Sequence, residues 1–294
     1  MRVHVQGMGL LGSLTAHRLE ALGVPFTWDD TDHPYVAWKA STGLVYPAGD
    51  EFTMSNLAAW GRWAAGGWLP AGVVEQVSYV FAQASHPHGG RYTTSPAGGL
   101  TLAHAPAYTV NVPALVSGAR TRYADTRVPT TNTTGRLLVA HGHATATSFM
   151  WGWAAQVTLR LHPELAALPQ RPALYGKKVR QFTYAYPVAG EPGRWWAGSS
   201  LHRQSTPRPL DAGKHLARWL RDVPEVYRGA VTITSATEPV QGWRPRPRKD
   251  VPAPLPVLTG GRVVYPALWH SGLRWAPLVV EEALRLAEIG GTDR

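Results

Sequence analysis

Residues 2–30 read "RVHVQGMGLLGSLTAHRLEALGVPFTWDD". Positions 2–6 alternate with a β-branched bias, and 13–22, "SLTAHRLEAL", carries apolar residues at helical spacing, so the stretch predicts strand, tight turn and helix. Gly23 stands where a helix-ending glycine belongs, and "VPFTW" predicts a second strand that finishes at Asp29 and Asp30. Gly7, Gly9 and Gly12 have the spacing G-x-G-x-x-G. The first permits the turn, the second lets backbone approach a pyrophosphate, and the third lets helix pack on strand. The helix start offers amide donors and positive dipole to that anion. From Gly7 to Asp30 is 23 positions, near the roughly 20 expected for an acid that bonds a ribose hydroxyl. The stretch therefore predicts a dinucleotide site, without separating NAD from FAD.

Further along, 57–68 "LAAWGRWAAGGW" predicts a helix, 107–120 a strand leading into a helix, and 136–142 "RLLVAHG" a buried strand. Between about 171 and 240 the pattern changes to shorter strands with Pro and Gly turns, a helix at 211–221 and a strand at "AVTITSAT". A strand at 262–268, "RVVYPAL", and an amphipathic helix at 277–289 follow, with Pro277 suited to that helix's first turn. The expected architecture is α/β. A Rossmann-type nucleotide-binding domain is assembled from 1–70, 107–168 and 241–294, and an antiparallel-sheet substrate domain is inserted from 71–106 and 169–240.

With 44% apolar and 16% charged residues over 294 positions, the chain is globular. It has no cysteine, which excludes disulfides, thiolate catalysis, cysteine zinc sites and a flavin attached through sulfur. The histidines of "HPH" (86–88) and "HGH" (141–143) have no carboxylate or cysteine at ligand spacing, so no metal is expected. No apolar run approaches the roughly 18 residues of a membrane span, and the opening residues lack a signal-peptide layout, so the expected compartment is the cytoplasm. Thirteen Trp and eleven Tyr serve as core filler or as walls for planar groups. The net charge of +10 is uneven: residues 169–250 hold 15 Lys or Arg against 6 Asp or Glu, and the rest 14 against 13. That excess fits either attraction of a polyanion such as nucleic acid or a soluble basic protein.

Three further blocks, "AWKASTGLVYP" (37–47), "GWRPRPRKDVPAPLPVL" (242–258) and "HSGLRWAPLVVEEAL" (270–284), keep order and spacing after the glycine fingerprint. Together they resemble the D-amino-acid oxidase and glycine oxidase class of FAD enzymes. That class includes the flavin domain of the tRNA carboxymethylaminomethyluridine-modifying enzyme and the phage thymidine-hypermodification FAD lyases. The resemblance implies FAD, bound by Gly7, Gly9, Leu10, Leu11, Gly12, Asp29 and Asp30, by Ser41, Thr42, Gly43 and Leu44, by Val128, and by Ser271, Gly272, Leu273, Arg274 and Trp275. It places Arg244 where the class keeps the arginine that pairs with a substrate carboxylate, a role that suits a planar guanidinium fork. Tyr184, Tyr186, Tyr46 and His270 are candidates for shaping the pocket or bonding substrate, and Trp195, Trp196 and Trp243 for stacking on a base. Arg246, Arg248 and Lys249 have no counterpart in the class; they form a solvated turn or meet phosphates. Glycine oxidase carries a second arginine where this chain has His270, which speaks against free glycine.

The implied reaction is FAD-dependent oxidation of a carbon–nitrogen bond in an N-substituted glycine. The basic segment suggests that this arm is carried on a nucleic-acid base, as on hypermodified thymidine in DNA or on the wobble uridine of tRNA. A free glycine, sarcosine or D-amino-acid-type oxidase, and a non-enzymatic nucleotide-binding module, are the alternatives.

Overall fold

A computed structural model describes residues 2–31, 36–46, 51–81, 93–97, 100–129, 135–140, 146–178, 181–206, 208–227, 229–247, 255–268 and 272–289. Among them, sheet A has the order β14 (Val257–Thr259), β15 (Arg262–Val264), β7 (Arg136–Val139), β1 (Val3–Gln6), β2 (Phe26–Asp29). Its last four strands are parallel, and β14 is an antiparallel edge. Parallel strands are covered on both faces, and Val3, Val5, Leu138 and Val263 are accordingly buried among α1 (Leu10–Ala21), α2 (Glu51–Ala65), α3 (Val112–Arg122) and α6 (Gly272–Leu286).

Sheet B runs β12 (Val231–Ala236), β8 (Ala146–Leu161), β11 (Trp195–Gln204), β10 (Gln181–Pro187), β9 (Pro172–Lys178), β4 (Val74–Phe81), β6 (Leu100–Val110), β3 (Leu44–Val45). Two further strands join it: β13 (Val240–Pro247) pairs with β8, and β5 (Thr93–Ala97) with β6. Sheet B thus also takes in β3, β8 and β13, from the stretches 1–70, 107–168 and 241–294, and its pairs are antiparallel except for the parallel pair β4–β9.

Side chains alternate between the two faces of a strand. On one face Trp151, Trp153 and Trp243, all fully buried, join Trp219 and Val223 of α5 (Ala212–Val226) in a single cluster. The short α4 (Pro163–Ala166) adds Leu165 to it. The other face presents small residues along the paired rows, with Gly152 opposite Gly242 and Ala154 opposite Gly198. The 3-10 turn Ala37–Ala40 lies close over this stripe. A Cβ on Gly242 would stand 2.7 Å from the Val36 carbonyl oxygen and 3.3 Å from Ala40 Cβ, so the approach depends on glycine.

The last helix corrects one expectation. It starts at Gly272, which puts Pro277 inside the helix rather than in its first turn. A proline there has no N–H for the carbonyl four residues back. That carbonyl belongs to Leu273, and it accepts instead from Trp60 Nε1 at 2.7 Å, tying α2 to α6. Among the described residues no helix is long and apolar enough to cross a membrane.

Candidate functional site

The glycine turn fits a pyrophosphate. Gly7 has φ 99 and donates its N–H to the Asp29 carbonyl at 2.9 Å. A Cβ on Gly12 would stand 1.8 Å from the Gly7 carbonyl oxygen, so helix and strand touch there only because the position is glycine. A Cβ on Gly9 would meet nothing within 4 Å. Gly9 caps α1 with extended backbone and no side-chain bond, leaving the helix's first amides, at Leu10 and Leu11, facing that open space. One glycine serves the turn, one the packing, and one leaves room for a ligand.

The two acids at the end of β2 differ. The Asp29 carboxylate is buried, its Oδ2 3.4 Å from the Nε2 of His4, whose Nδ1 meets Thr27 Oγ1 at 2.9 Å. Asp30 is half-buried in an ion pair with Arg120. Arg120 also donates from Nε to the Met8 carbonyl at 3.2 Å, and its guanidinium lies 5.5 Å from the Trp38 ring. The acid that the spacing singles out therefore comes with an arginine from α3 clamped across the glycine turn. The sequence carries no local sign of Arg120, because nothing between 30 and 120 shows that α3 lies beside the turn. Val128 donates its N–H to the Trp28 carbonyl at 2.9 Å and so extends the edge of β2.

In segment 41–46, Gly43 has φ 70 and its carbonyl accepts from Val110 N–H at 2.7 Å. A Cβ there would lie 1.9 Å from the Val110 carbonyl oxygen, so this glycine answers first to contact with β6. Thr42 is buried, while Ser41 and Leu44 are half-buried. Tyr46 stacks on Tyr79 with ring centres 5.1 Å apart, and the Arg274 guanidinium stands 5.8 Å from its ring. Burial pushes the Tyr46 phenol up, and the Arg274 charge opposes the shift. The first turn of α6, with Gly272, buried Leu273, and half-buried Arg274 and Trp275, thus meets the end of the 37–46 segment. His270, Ser271, Arg248 and Lys249 lie outside the described residues, as do both histidine triplets.

The wall facing this segment is the small-residue face of sheet B. Residues opposite one another across paired strands share a face. Arg244 pairs with Met150, which is also in register with Arg203 on β11. A register shift between Ser200 and His202 sets that row, since one extra residue exchanges the faces of all that follow. Tyr184 opposes Gly198 and Tyr186 opposes Trp196, so both tyrosines share Arg244's face. Their rings stack 4.7 Å apart at 9°. Burial holds the Tyr186 phenol well above its ordinary range, and Tyr175 is pushed up for the same reason. Among the described residues, four buried polar atoms on this face have no hydrogen-bond partner: Tyr184 OH, Trp196 Nε1, Ser148 Oγ and Thr109 Oγ1. Such groups are costly when unpaired, and here they share a face with Gly152, Gly198 and Gly242 as well as Met150 and Arg244.

Arg244 and Tyr184 share the face without sharing a spot. Three strand spacings and four residues separate them, on the order of 20 Å along the sheet. Of the tryptophans considered for stacking, Trp195 and Trp243 belong to the opposite face, in the cluster with α5, and Trp195 Nε1 is engaged by the Pro172 carbonyl at 3.3 Å. Neither is available to a base, and only Trp196 remains on the candidate side. The basic segment is also divided. Lys214, Arg218 and Arg221 are exposed on α5, behind the sheet, where Arg218 and Arg221 flank Asp222 at 3.6 and 3.4 Å. Lys177, Lys178, Arg203 and Arg246 fall at strand ends on the same end of sheet B as Arg244. An open cleft between α1, α2 and α6, lined by Arg18, Trp63, Trp68 and Glu281, shares none of these residues.

No protein-family model matches the sequence, and no curated protein does. Solved structures do match the fold. Iminodiacetate oxidase from Chelativorans sp. is 16% identical with a TM-score of 0.69, over 100% of this chain and 97% of that one. Glycine oxidase from Geobacillus kaustophilus is 12% identical with a TM-score of 0.67, over 98% and 95%. An FAD-bound L-α-glycerophosphate oxidase from Mycoplasma pneumoniae is 14% identical with a TM-score of 0.64, over 100% and 96%. The chain has the fold of these oxidases along its whole length, as the resemblance of the four sequence blocks implies.

Proposed function

We propose that the chain is an FAD-dependent oxidase or oxidative C–N lyase of an N-substituted glycine, with the cofactor held between the glycine turn and the small-residue face of sheet B. The observation that carries this reading is the pairing of two kinds of vacancy. Gly9 faces open space at the head of α1, and the face of sheet B that carries Arg244 holds the buried, unpaired Ser148 hydroxyl one diagonal step from it. The fold shared with iminodiacetate oxidase and glycine oxidase supports it.

In this reading the α1 amides hold the pyrophosphate, Asp30 and Arg120 face the ribose, and 41–44 with the first turn of α6 hold the ring system. FAD supplies a two-electron acceptor that takes hydride from the substrate's α-carbon. Arg244 grips the carboxylate by two parallel hydrogen bonds and so fixes the carbon next to it. The amine must arrive neutral to give up hydride, and water then cleaves the resulting imine to glyoxylate and a shortened amine.

The arm we favour is one carried on a nucleic-acid base, hypermodified thymidine in DNA ahead of tRNA uridine, in the cytoplasm. The excess of 15 over 6 charges in 169–250 supports this, as does the gathering of Lys177, Lys178, Arg203 and Arg246 at Arg244's end of the sheet. Anaerobic mixing of the purified yellow protein with iminodiacetate, N-methylglycine, modified DNA and tRNA tests the reading. Bleaching of the flavin by at least one N-substituted glycine is expected, with glyoxylate released. Bleaching by small amines alone would assign the free-amine reaction, and a colourless protein would remove the enzyme reading altogether.

A further inference from the structure

Ser148 stands apart from every residue the sequence motifs single out. It is 3% exposed, and its Oγ has no hydrogen-bond partner. The β8–β13 register places it opposite Arg246, two residues along from the Met150 that faces Arg244. It is thus on Arg244's face and one diagonal step away, a separation of about 7–8 Å between backbone positions. Arg244 is half-buried on the neighbouring strand, and the shared face and diagonal spacing bring a small anion gripped by its guanidinium within range of the Ser148 hydroxyl.

A carboxylate has about four acceptor positions, and a guanidinium fork uses two of them. The remainder must be satisfied once the group is buried. Ser148 offers an O–H donor that nothing else in the described protein uses. We infer that Ser148 is a substrate-binding residue whose hydroxyl donates to the carboxylate that Arg244 grips, stopping that carboxylate from turning about the guanidinium. The inference rests on the proposed reaction and adds to it a third hydrogen bond that selects a planar oxyanion over a neutral amide or alcohol. It also explains why the Ser148 hydroxyl is kept buried and unpaired.

The test separates ligand binding from folding. Dissociation constants for N-methylglycine and iminodiacetate are read from perturbation of the flavin absorbance of the holoprotein, with Tm measured in the absence of ligand. Ser148→Ala is expected to weaken both carboxylates by roughly ten- to a hundredfold, while Tm without ligand stays level or rises because an unpaired buried hydroxyl is gone. Ser148→Thr, which keeps the hydroxyl, recovers much of the affinity. Unchanged affinity in Ser148→Ala, alongside weakened binding in Arg244→Met, overturns the inference and leaves the proposed reaction standing. If carboxylates leave the wild-type spectrum unmoved, or if Arg244→Met binds them as wild type does, the reaction and the inference fall together.

Discussion

The glycine turn at the head of sheet A and the small-residue face of sheet B both rely on the absence of side chains, but they are specified at different ranges. In the turn, three glycines within six residues settle everything: Gly12 closes against Gly7, and Gly9 keeps its outer side clear. On sheet B, Gly152, Gly198 and Gly242 come from strands far apart in sequence and meet only through register. A local device tolerates drift elsewhere in the chain. A register-built wall can be lost by a one-residue slip anywhere along it.

The sharpest way to break the contrast is at Gly12. Gly12→Ala drives a methyl into backbone with nothing flexible to yield, and we expect a loss of more than about 3 kcal/mol, seen as lost soluble yield and lost flavin. Gly9→Ala, with open space around its Cβ, should leave Tm almost unchanged while flavin retention falls at least roughly tenfold, since only the ligand needs that room. Equal damage from the two substitutions would contradict the division of labour between them.

Next in size is Arg244→Met. Removing a charge-assisted fork from the substrate carboxylate should lower kcat/KM for the amine by roughly a hundredfold or more, with Tm moving little because the residue is only half-buried. Flavin affinity in this variant should match wild type, which would separate the wall from the turn.

The helix layer over sheet A supplies a pH test. Burial holds His17 down to about 4 from 6.5, with its Nδ1 2.8 Å from Tyr123 OH. The unfolded chain binds a proton at His17 between those two values and the folded chain does not. Stability from this site is therefore complete above pH 6.5 and declines as pH falls toward 4, by at most roughly 3 kcal/mol before solvent screening. His17→Gln should flatten the slope of unfolding free energy against pH in that window.

The smallest effect concerns Pro277. Trp60→Phe removes the donor that serves the Leu273 carbonyl and should cost about 1–3 kcal/mol, read as a Tm lower by several degrees. Adding Pro277→Ala, which returns an N–H to that carbonyl, should recover part of the loss. Additive losses instead would show that the tryptophan acts by packing alone.

These contrasts also mark what the sequence discloses. Strand, turn and helix are legible in residues 2–30 because the alternation, helical spacing and glycine positions that mark them are local. Arg244 is legible only as part of a longer motif. Ser148 and Arg120 are not legible at all: a serine in an apolar strand and an arginine on an amphipathic helix acquire meaning only when pairing brings them to Arg244 and to Asp30. Trp195 and Trp243 look like stacking surfaces until strand alternation assigns them to the α5 side. Pro277 reads as a helix start because the tryptophan that compensates for it lies more than two hundred residues earlier.

The most direct measurement is anaerobic single turnover of the flavin-loaded protein with an N-substituted glycine, wild type against Arg244→Met, followed by flavin absorbance and by glyoxylate release. Rapid bleaching in the wild type, slowed about a hundredfold at low substrate in the variant while both hold flavin equally, is the predicted result. Equal rates in the two proteins, or a wild type that keeps its colour with every free and nucleic-acid-borne glycine arm, would contradict it.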